Sequence, residues 1–412
     1  MRTTALQESE RIINSYLNRT GACGAGDAAH RYLWTDAYAV LALLSLHRAT
    51  GLEVYRTDAE RLASLVHRTL GRHRADDVRS GWISGLSEQE GEQHPTAGGL
   101  RIGKPLAERA AREPLDPELE WERDGQYFHY LTKWMLALSQ LALATGDATH
   151  NRHAIELARA AVRAFVRPPR MHWKMSIDLT RPLVASMGQH DPLDGLAALA
   201  FVRAAQHRIA PEPAALDREI ELLRLMCAQC ATTPSPWATT DPLGLGGLLA
   251  DASILIALTA RGDLASEALP HALLADAQRG LDVFTTTQAL ARPLEARLAF
   301  RELGLALGLH GLGAMDAAVT DHADRFGTAA QASALRARIE AMLPLRVLAA
   351  HLDSTWRDPA AQTTRAWITH RDINEVMLAA SMLAAAEPLV GLGGLRDLRR
   401  RPVEAAPVDA RG

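Results

Sequence analysis

The chain has 412 residues, 48 % of them hydrophobic and 23 % charged, which is enough apolar material for a large core and a charge content typical of soluble proteins. Its 45 basic and 48 acidic residues leave a net charge of −3, which argues against a general nucleic-acid or membrane-surface binder. Three cysteines are too few for a disulfide scaffold, and no segment resembles a signal peptide or a membrane span. We therefore expect a cytoplasmic protein.

Helical periodicity dominates the sequence, and the alternation typical of β-strands is scarce. The odd-numbered members of the predicted series are amphipathic, as outer helices are, and the even-numbered members are apolar nearly all round, as buried helices are. In chain order the pattern predicts twelve helices, at about 4–17, 32–49, 57–72, 126–145, 151–166, 191–209, 212–230, 244–262, 266–283, 293–311, 327–350 and 371–387.

Twelve helices that alternate between amphipathic and apolar predict two layers, with six inner helices surrounded by six outer ones. An open helical solenoid is the main alternative, but no consensus recurs at a fixed period, which favours a closed ring. We expect a single all-α domain over residues 1–390, with insertions at 73–125 and 167–189, and a flexible tail at 391–412.

Several familiar site classes are missing from the sequence. Cys227 and Cys230 form a C-x-x-C pair inside an amphipathic helix, without a second ligand pair or a βα junction, so we interpret them as core residues. No phosphate-binding loop, H-E-x-x-H zinc motif, strand-borne G-x-G-x-x-G or G-x-S-x-G elbow occurs. We therefore predict neither a cofactor nor a metal.

A dense polar and aromatic cluster precedes or opens nearly every apolar helix. Because the inner helices of alternating hairpins run in the same direction, their amino ends meet at one mouth of the ring, where free N–H groups favour anions. This mixture suits a sugar or an anionic ligand, since indoles stack on sugar faces while Asp, Arg and His bind hydroxyls and carboxylates. The residues concerned are Trp34, Asp36, Tyr127, His129, Lys133, Trp134, His190, Asp191, Asp194, Asp241, Arg297, Arg301, Glu302, His370, Arg371, Asp372 and Glu375.

Simpler roles compete for some of these residues. Asp191, Asp241 and Asp372 stand where helix N-caps are needed. Asp251, which lies deeper in an apolar helix, is explained more easily by a buried ion pair than by catalysis. Arg371 and Glu375 are spaced as an i,i+4 ion pair.

The hairpin number, inner-helix segments such as "YFHYLTKWMLAL" and the aromatic-rich mouth make residues 1–390 resemble the six-hairpin (α/α)6 toroid superfamily. That group includes glycoside hydrolases, unsaturated-uronide hydrolases, polysaccharide lyases and N-acylglucosamine 2-epimerase-like enzymes. The resemblance is architectural and implies an (α/α)6 toroid of about twelve helices. It transfers no catalytic residue, because no catalytic motif of the group matches.

The first functional hypothesis is a glycoside hydrolase for a short or acidic sugar, with two carboxylates as acid and base. We expect Asp36 and Asp194 to form that pair, with Glu302 or Glu375 as substitutes. The remaining mouth residues would bind the sugar, by stacking or by polar contacts. They are Trp34, Tyr127, His129, Lys133, Trp134, Arg297, Arg301 and Arg371.

Two alternatives remain open. A sugar epimerase or isomerase would need bases on both faces of the opened sugar, for which His190 and His370 are the candidates. A non-catalytic binding or scaffold protein would use the ring as a docking surface. In each case we expect a small-molecule partner, neither nucleic acid nor membrane, and the sequence leaves the oligomeric state undetermined.

Overall fold

A computed structural model describes residues 2–22, 31–210, 215–265 and 268–390. The fold is predominantly helical, with 69 % helix and 4 % strand, which confirms the all-α class. The predicted tail at 391–412 and Cys23 lie outside the described residues.

Long helices account for most of the chain, and short ones occur in the connections. Their bounds are α1 Arg2–Arg19, α2 Leu33–Thr50, α3 Glu53–Leu70, α4 Glu88–Gln93, α5 Pro117–Glu122, α6 Phe128–Thr145, α7 Ala148–Phe165, α8 Asp191–Ile209, α9 Asp217–Cys230, α10 Pro242–Arg261, α11 Ala268–Thr286, α12 Ala299–His310, α13 Leu312–Asp321, α14 Ala329–Met342, α15 Arg346–Arg357, α16 Pro359–Gln362, α17 Arg365–Thr369 and α18 Arg371–Ala384.

The six apolar helices contact one another in a closed cycle. Helix α2 packs against α6, α6 against α8, α8 against α10, α10 against α12, α12 against α18, and α18 against α2. Helices α3, α7, α9 and α11 each pack against the member of the cycle that precedes them, while α15 packs on α12 and α1 on α18. We call the six members of the cycle the inner helices and the six helices packed on them the outer helices.

Local sequence explains where the inner helices begin and end. Pro192 and Pro242 occupy the first turns of α8 and α10, where the missing N–H costs nothing. Gly51, Gly146 and Gly262 end α2, α6 and α10 in the left-handed conformation that glycine adopts without strain.

Two predicted helices have different bounds in the structure. The helix predicted at 327–350 is divided into α14 and α15 by the 3₁₀ turn Leu343–Leu345, because Pro344 cannot continue an α-helix. The helix predicted at 293–311 begins only at Ala299, and the chain continues beyond Gly311 as α13, which the sequence pattern missed.

The two insertions pack together through small antiparallel sheets. Strand β1 (Gln126–Tyr127) pairs with β4 (Lys174–Met175), which also pairs with β5 (Pro182–Val184). A separate hairpin joins β2 (Val166–Arg167) to β3 (Arg170–Met171). Arg79 of the first insertion forms ion pairs with Asp77 and Glu108 of the same insertion and with Asp178 of the second.

Two helical segments, Pro242–Arg261 and Ala299–Asp321, are long and apolar enough to cross a membrane by length and composition alone. They are 67 % and 61 % buried inside the fold. Their apolar character is therefore accounted for by core packing.

Candidate functional site

The amino ends of the inner helices lie together, and we call this end of the cycle the mouth. Side chains there connect α2 to α6, α6 to α8, α10 to α12, and α12 to α18. The contacts are Tyr32 Oη–Tyr130 Oη at 2.5 Å, Lys133 Nζ–Asp194 Oδ1 at 3.1 Å, Arg301 Nη1–Asp241 Oδ1 at 2.5 Å, and Phe300 N–Asn374 Oδ1 at 3.0 Å.

A buried charge cluster connects three inner helices at the base of the mouth. Lys133 of α6 lies 3.1 Å from Asp194 of α8 and 3.9 Å from Asp251 of α10. Burial opposes ionisation of Asp194, but the Lys133 ammonium and a hydrogen bond with Asp251 act together against it, and the pKa of Asp194 is lowered. Burial and the charge of Asp194 raise the pKa of Asp251 well above its usual value. Ionisation is therefore favoured at Asp194 and opposed at Asp251, so the buried ion pair of Lys133 is made chiefly with Asp194.

Asp191 stands one helical turn before Asp194 and is in the opposite protonation state. Burial, followed by the negative charge of Asp194, raises the pKa of Asp191 to about 8. Its Oδ2 accepts the Gly188 N–H at 3.1 Å, and its Oδ1 lies 3.8 Å from Nδ1 of His129. Burial lowers the pKa of His129 to about 4, so at neutral pH Asp191 and His129 are both uncharged.

Aromatic rings form one wall of the mouth. His129 stacks on Tyr127 at a centroid distance of 5.3 Å and lies nearly parallel to Trp173 at 6.3 Å. Trp34 contacts Tyr130 at 5.3 Å, and its Nε1–H has no acceptor among the described residues. Flat rings with an unused buried donor suit a ligand with an apolar face and polar edges.

A cavity of about 60 Å³ lies on the other side of the charge cluster. Tyr38, Lys133 and Asp251 line its polar end, whereas Leu307 and Leu389 belong to its apolar end, towards the carboxyl ends of α12 and α18. The cluster therefore separates the mouth from an apolar space within the helix cycle.

Asp36, which the sequence suggested as a catalytic carboxylate, is fully buried. Its Oδ1 accepts a hydrogen bond from Tyr16 of α1 at 2.6 Å and from Arg31 at 3.2 Å. These partners hold the side chain between an inner and an outer helix. The geometry therefore favours a structural role for Asp36.

Trp134 and Arg297 are also placed in the core. Trp134 is fully buried and donates its Nε1–H to His67 of the outer helix α3 at 3.2 Å. Arg297 forms a bidentate pair with Glu302 at 2.6 and 2.8 Å, and Glu302 also accepts the indole N–H of Trp356 at 2.9 Å. Neither Arg297 nor Glu302 therefore has a free group to offer a ligand.

The two histidines proposed as paired bases differ in their surroundings. His190 occupies the N-cap position of α8, and its Nε2 lies 2.9 Å from the carbonyl oxygen of Trp237. His370 is exposed and meets the ring of Phe300 edge-on at 5.7 Å. The two side chains share no described contact.

The rim of the mouth carries ion pairs. Arg371 pairs with Glu375 at 2.7 Å, as the i,i+4 spacing predicted, and Arg19 of α1 bonds both Glu375 and Asp372 at 2.6 Å. Asp241 caps α10 by accepting the Gly244 N–H, as predicted. Asp191 and Asp372 lie inside the first turns and cap neither α8 nor α18, so those two capping predictions are wrong.

Sequence reasoning missed Tyr32, Tyr38, Tyr130 and Trp173 as neighbours of the site. It also missed a compositional signal, because only three of the 45 basic residues are lysines. Lys133 lies in the charge cluster. The other two are Lys174, which is buried against Glu120 and 5.4 Å from the Tyr127 ring, and Lys104, 5.6 Å from the Tyr32 ring.

Within the described ranges, no group of three or more potential ligands could hold a metal ion. Cys227 is buried and Cys230 partly buried in α9, and both are free thiols. Burial raises the pKa of both thiols, as expected of unreactive cysteines in or beside a core.

No known protein family matches the chain, and neither does any curated protein.

Proposed function

We propose that the chain is an (α/α)6 toroid. The closed cycle of six apolar helices supports this proposal, as do the outer helices packed on it and the shared position of the inner amino ends. A solenoid would leave its first and last helices apart, whereas here α1 and α2 both contact α18.

We further propose that the mouth is the active site of a glycoside hydrolase acting on a short or acidic sugar. The observation that carries this proposal is the pair Asp191 and Asp194, one turn apart on α8 and in opposite protonation states. Hydrolysis of a glycosidic bond needs one protonated and one ionised carboxyl group near the reacting atoms. Asp191 thus replaces Asp36 as the partner of Asp194.

In this mechanism Asp191 protonates the leaving oxygen while Asp194 activates water or stabilises positive charge on the sugar ring. Lys133 acts as a positioning residue, because its ammonium keeps Asp194 ionised inside a largely dry site. The rings of Trp34, Tyr127 and His129 provide faces for stacking. The cytoplasmic location expected from the composition stays a prediction.

The first test is hydrolysis of a panel of chromogenic neutral and acidic glycosides by the full chain. We expect D194N and D191N each to lower kcat/KM by at least about 100-fold, because each removes one acid–base function. D36N is the matched control, since it makes the same change at a carboxylate in the first turn of another inner helix. We expect the kcat/KM of D36N to stay within about threefold of the wild-type value. The D36N protein is assayed well below its melting temperature.

Activity that survives in D194N, or that is lost equally in D36N, would contradict the assignment of the pair. Exchange of a substrate C–H for deuterium without bond cleavage would support the epimerase instead. A wild-type protein that binds sugars but turns over none of the panel would point to a binding protein.

A further inference from the structure

Lys104 is a lysine at the mouth that forms no salt bridge with a described residue. Its ammonium lies 5.6 Å from the ring centroid of Tyr32, at the start of α2. Its charge also depresses the pKa of His370, at the start of α18, although burial is the larger cause. Lys104 therefore reaches the mouth from the first insertion, beside the junction of α2 and α18.

The three arginines that the sequence predicted at the mouth each pair with a carboxylate. Arg301 pairs with Asp241, Arg371 with Glu375 and Arg297 with Glu302. These guanidinium groups already have partners, so an incoming anion would have to compete for them. The ammonium of Lys104 meets no such competition from described residues.

The backbone around Lys104 is held firmly in place. The Lys104 carbonyl accepts from Arg74 at 2.7 Å, and the Gly103 N–H donates to Asp124 at 2.9 Å. Gly103 has φ +90°, and a Cβ there would lie 1.9 Å from the Arg31 carbonyl oxygen, so the segment fits tightly against the start of α2. The point from which the Lys104 side chain extends is therefore fixed before a ligand arrives.

The nearby acids do not neutralise this ammonium by direct contact. Asp124 accepts hydrogen bonds from Arg101 at 3.0 Å and from Arg74 at 3.4 Å, besides the Gly103 N–H. Glu122 is exposed and forms no salt bridge with Lys104. A half-buried cation that lacks an ion pair and lies beside an aromatic ring is suited to bind an anionic group on a ligand.

We propose that Lys104 is the specificity-determining residue that binds the carboxylate of an acidic saccharide, so that uronates are the substrate class of this site. That the bound saccharide is a substrate rests on the proposed function, but binding of the anion can be tested without turnover. The inner-helix amino ends add partial positive charge to the same mouth.

Calorimetric titration of the full-length protein with D-glucuronate, D-glucose and D-glucose 6-phosphate tests the proposal. We expect the wild type to bind glucuronate at least tenfold more tightly than glucose at low salt, and K104M, which keeps the apolar stem, to lose that difference. K104R is expected to retain most of it because the charge persists. R112M is the matched control, since it removes an exposed charge from the same insertion.

Glucuronate binding that is unchanged in K104M would overturn the proposal, as would equal binding of glucose and glucuronate by the wild type. Tighter binding of glucose 6-phosphate than of glucuronate would overturn the assignment to uronates. Absence of hydrolysis by the wild type on every glycoside of the panel, with Lys104-dependent binding of glucuronate intact, would reject the proposed function and leave this inference standing.

Discussion

Asp36 and Asp194 look alike in the sequence but have opposite surroundings in the fold. Each lies in the first turn of an apolar helix, and each is buried. Asp36 is bonded to Tyr16 of an outer helix, whereas Asp194 meets Lys133 and Asp251 of neighbouring inner helices. The difference depends on how each helix is rotated about its own axis. An apolar helix with no polar face gives no sign of that rotation.

A pH effect on stability follows from the burial of Asp36. Burial raises its pKa to about 6, although Arg31 and Tyr16 act in the opposite direction. A carboxyl group whose pKa is higher in the folded state contributes stability below about pH 4, and that contribution is lost as the pH rises through about 6. Between pH 4 and 7 we expect the free energy of unfolding of the wild type to fall by about 2 kcal/mol relative to that of D36N. Urea unfolding of both proteins between pH 4 and 7 measures it.

The comparison uses the difference between the two proteins, so contributions from other titrating groups cancel. D36N also removes the counter-charge of Arg31, which shifts its stability by a similar amount at every pH in the window. Parallel stability curves for the wild type and D36N would show that Asp36 titrates normally.

Among the helices, the sequence predicted which segments are apolar and buried better than it predicted where each helix begins and ends. The alternation of wet and dry segments predicted every member of the inner cycle, because burial on all sides demands apolar residues all round. The small helices and strands of the insertions were not predicted. Their arrangement depends on polar contacts between segments that are far apart in the chain, such as the ion pair between Arg79 and Asp178. Local patterns do not reveal such contacts.

Small residues let two inner helices approach closely. A Cβ added to Gly246 of α10 would lie 2.0 Å from the carbonyl oxygen of Gly304 in α12, whereas a Cβ on Gly247 would meet nothing within 4 Å. We expect G246A to lower the free energy of unfolding by about 2 kcal/mol or more, since backbone must move to admit the methyl group. G247A should raise it by up to about 1 kcal/mol, the helix-propensity gain. Denaturant unfolding of the two variants gives both numbers, and equal values would contradict the close approach.

For the whole molecule, the sequence predicted which segments should meet at one mouth but not which residues would be free to act there. Convergence follows from chain direction, because alternating hairpins make all inner helices parallel. Availability depends on partners from distant segments, which is why Arg297 and Trp134 proved to be committed to the core. The roles proposed for Asp191 and Lys104 depend on neighbouring residues that the sequence alone does not reveal.

Asn374, at the start of α18, forms a polar contact between α12 and α18 of the helix cycle. Its Oδ1 accepts the Phe300 N–H of α12 at 3.0 Å, and its Nδ2–H donates to the Trp367 carbonyl at 3.1 Å, with the side chain almost fully buried. N374A leaves the Phe300 N–H without its acceptor, whereas the Trp367 carbonyl still accepts the His370 N–H, so we expect a loss of about 2 kcal/mol in the free energy of unfolding. The control D372N weakens an ion pair to Arg19 that is 53 % exposed on the Asp372 side, and should cost under about 1 kcal/mol. Thermal and urea unfolding of both variants distinguish the two contacts. If N374A is no less stable than D372N, closure depends on apolar packing alone.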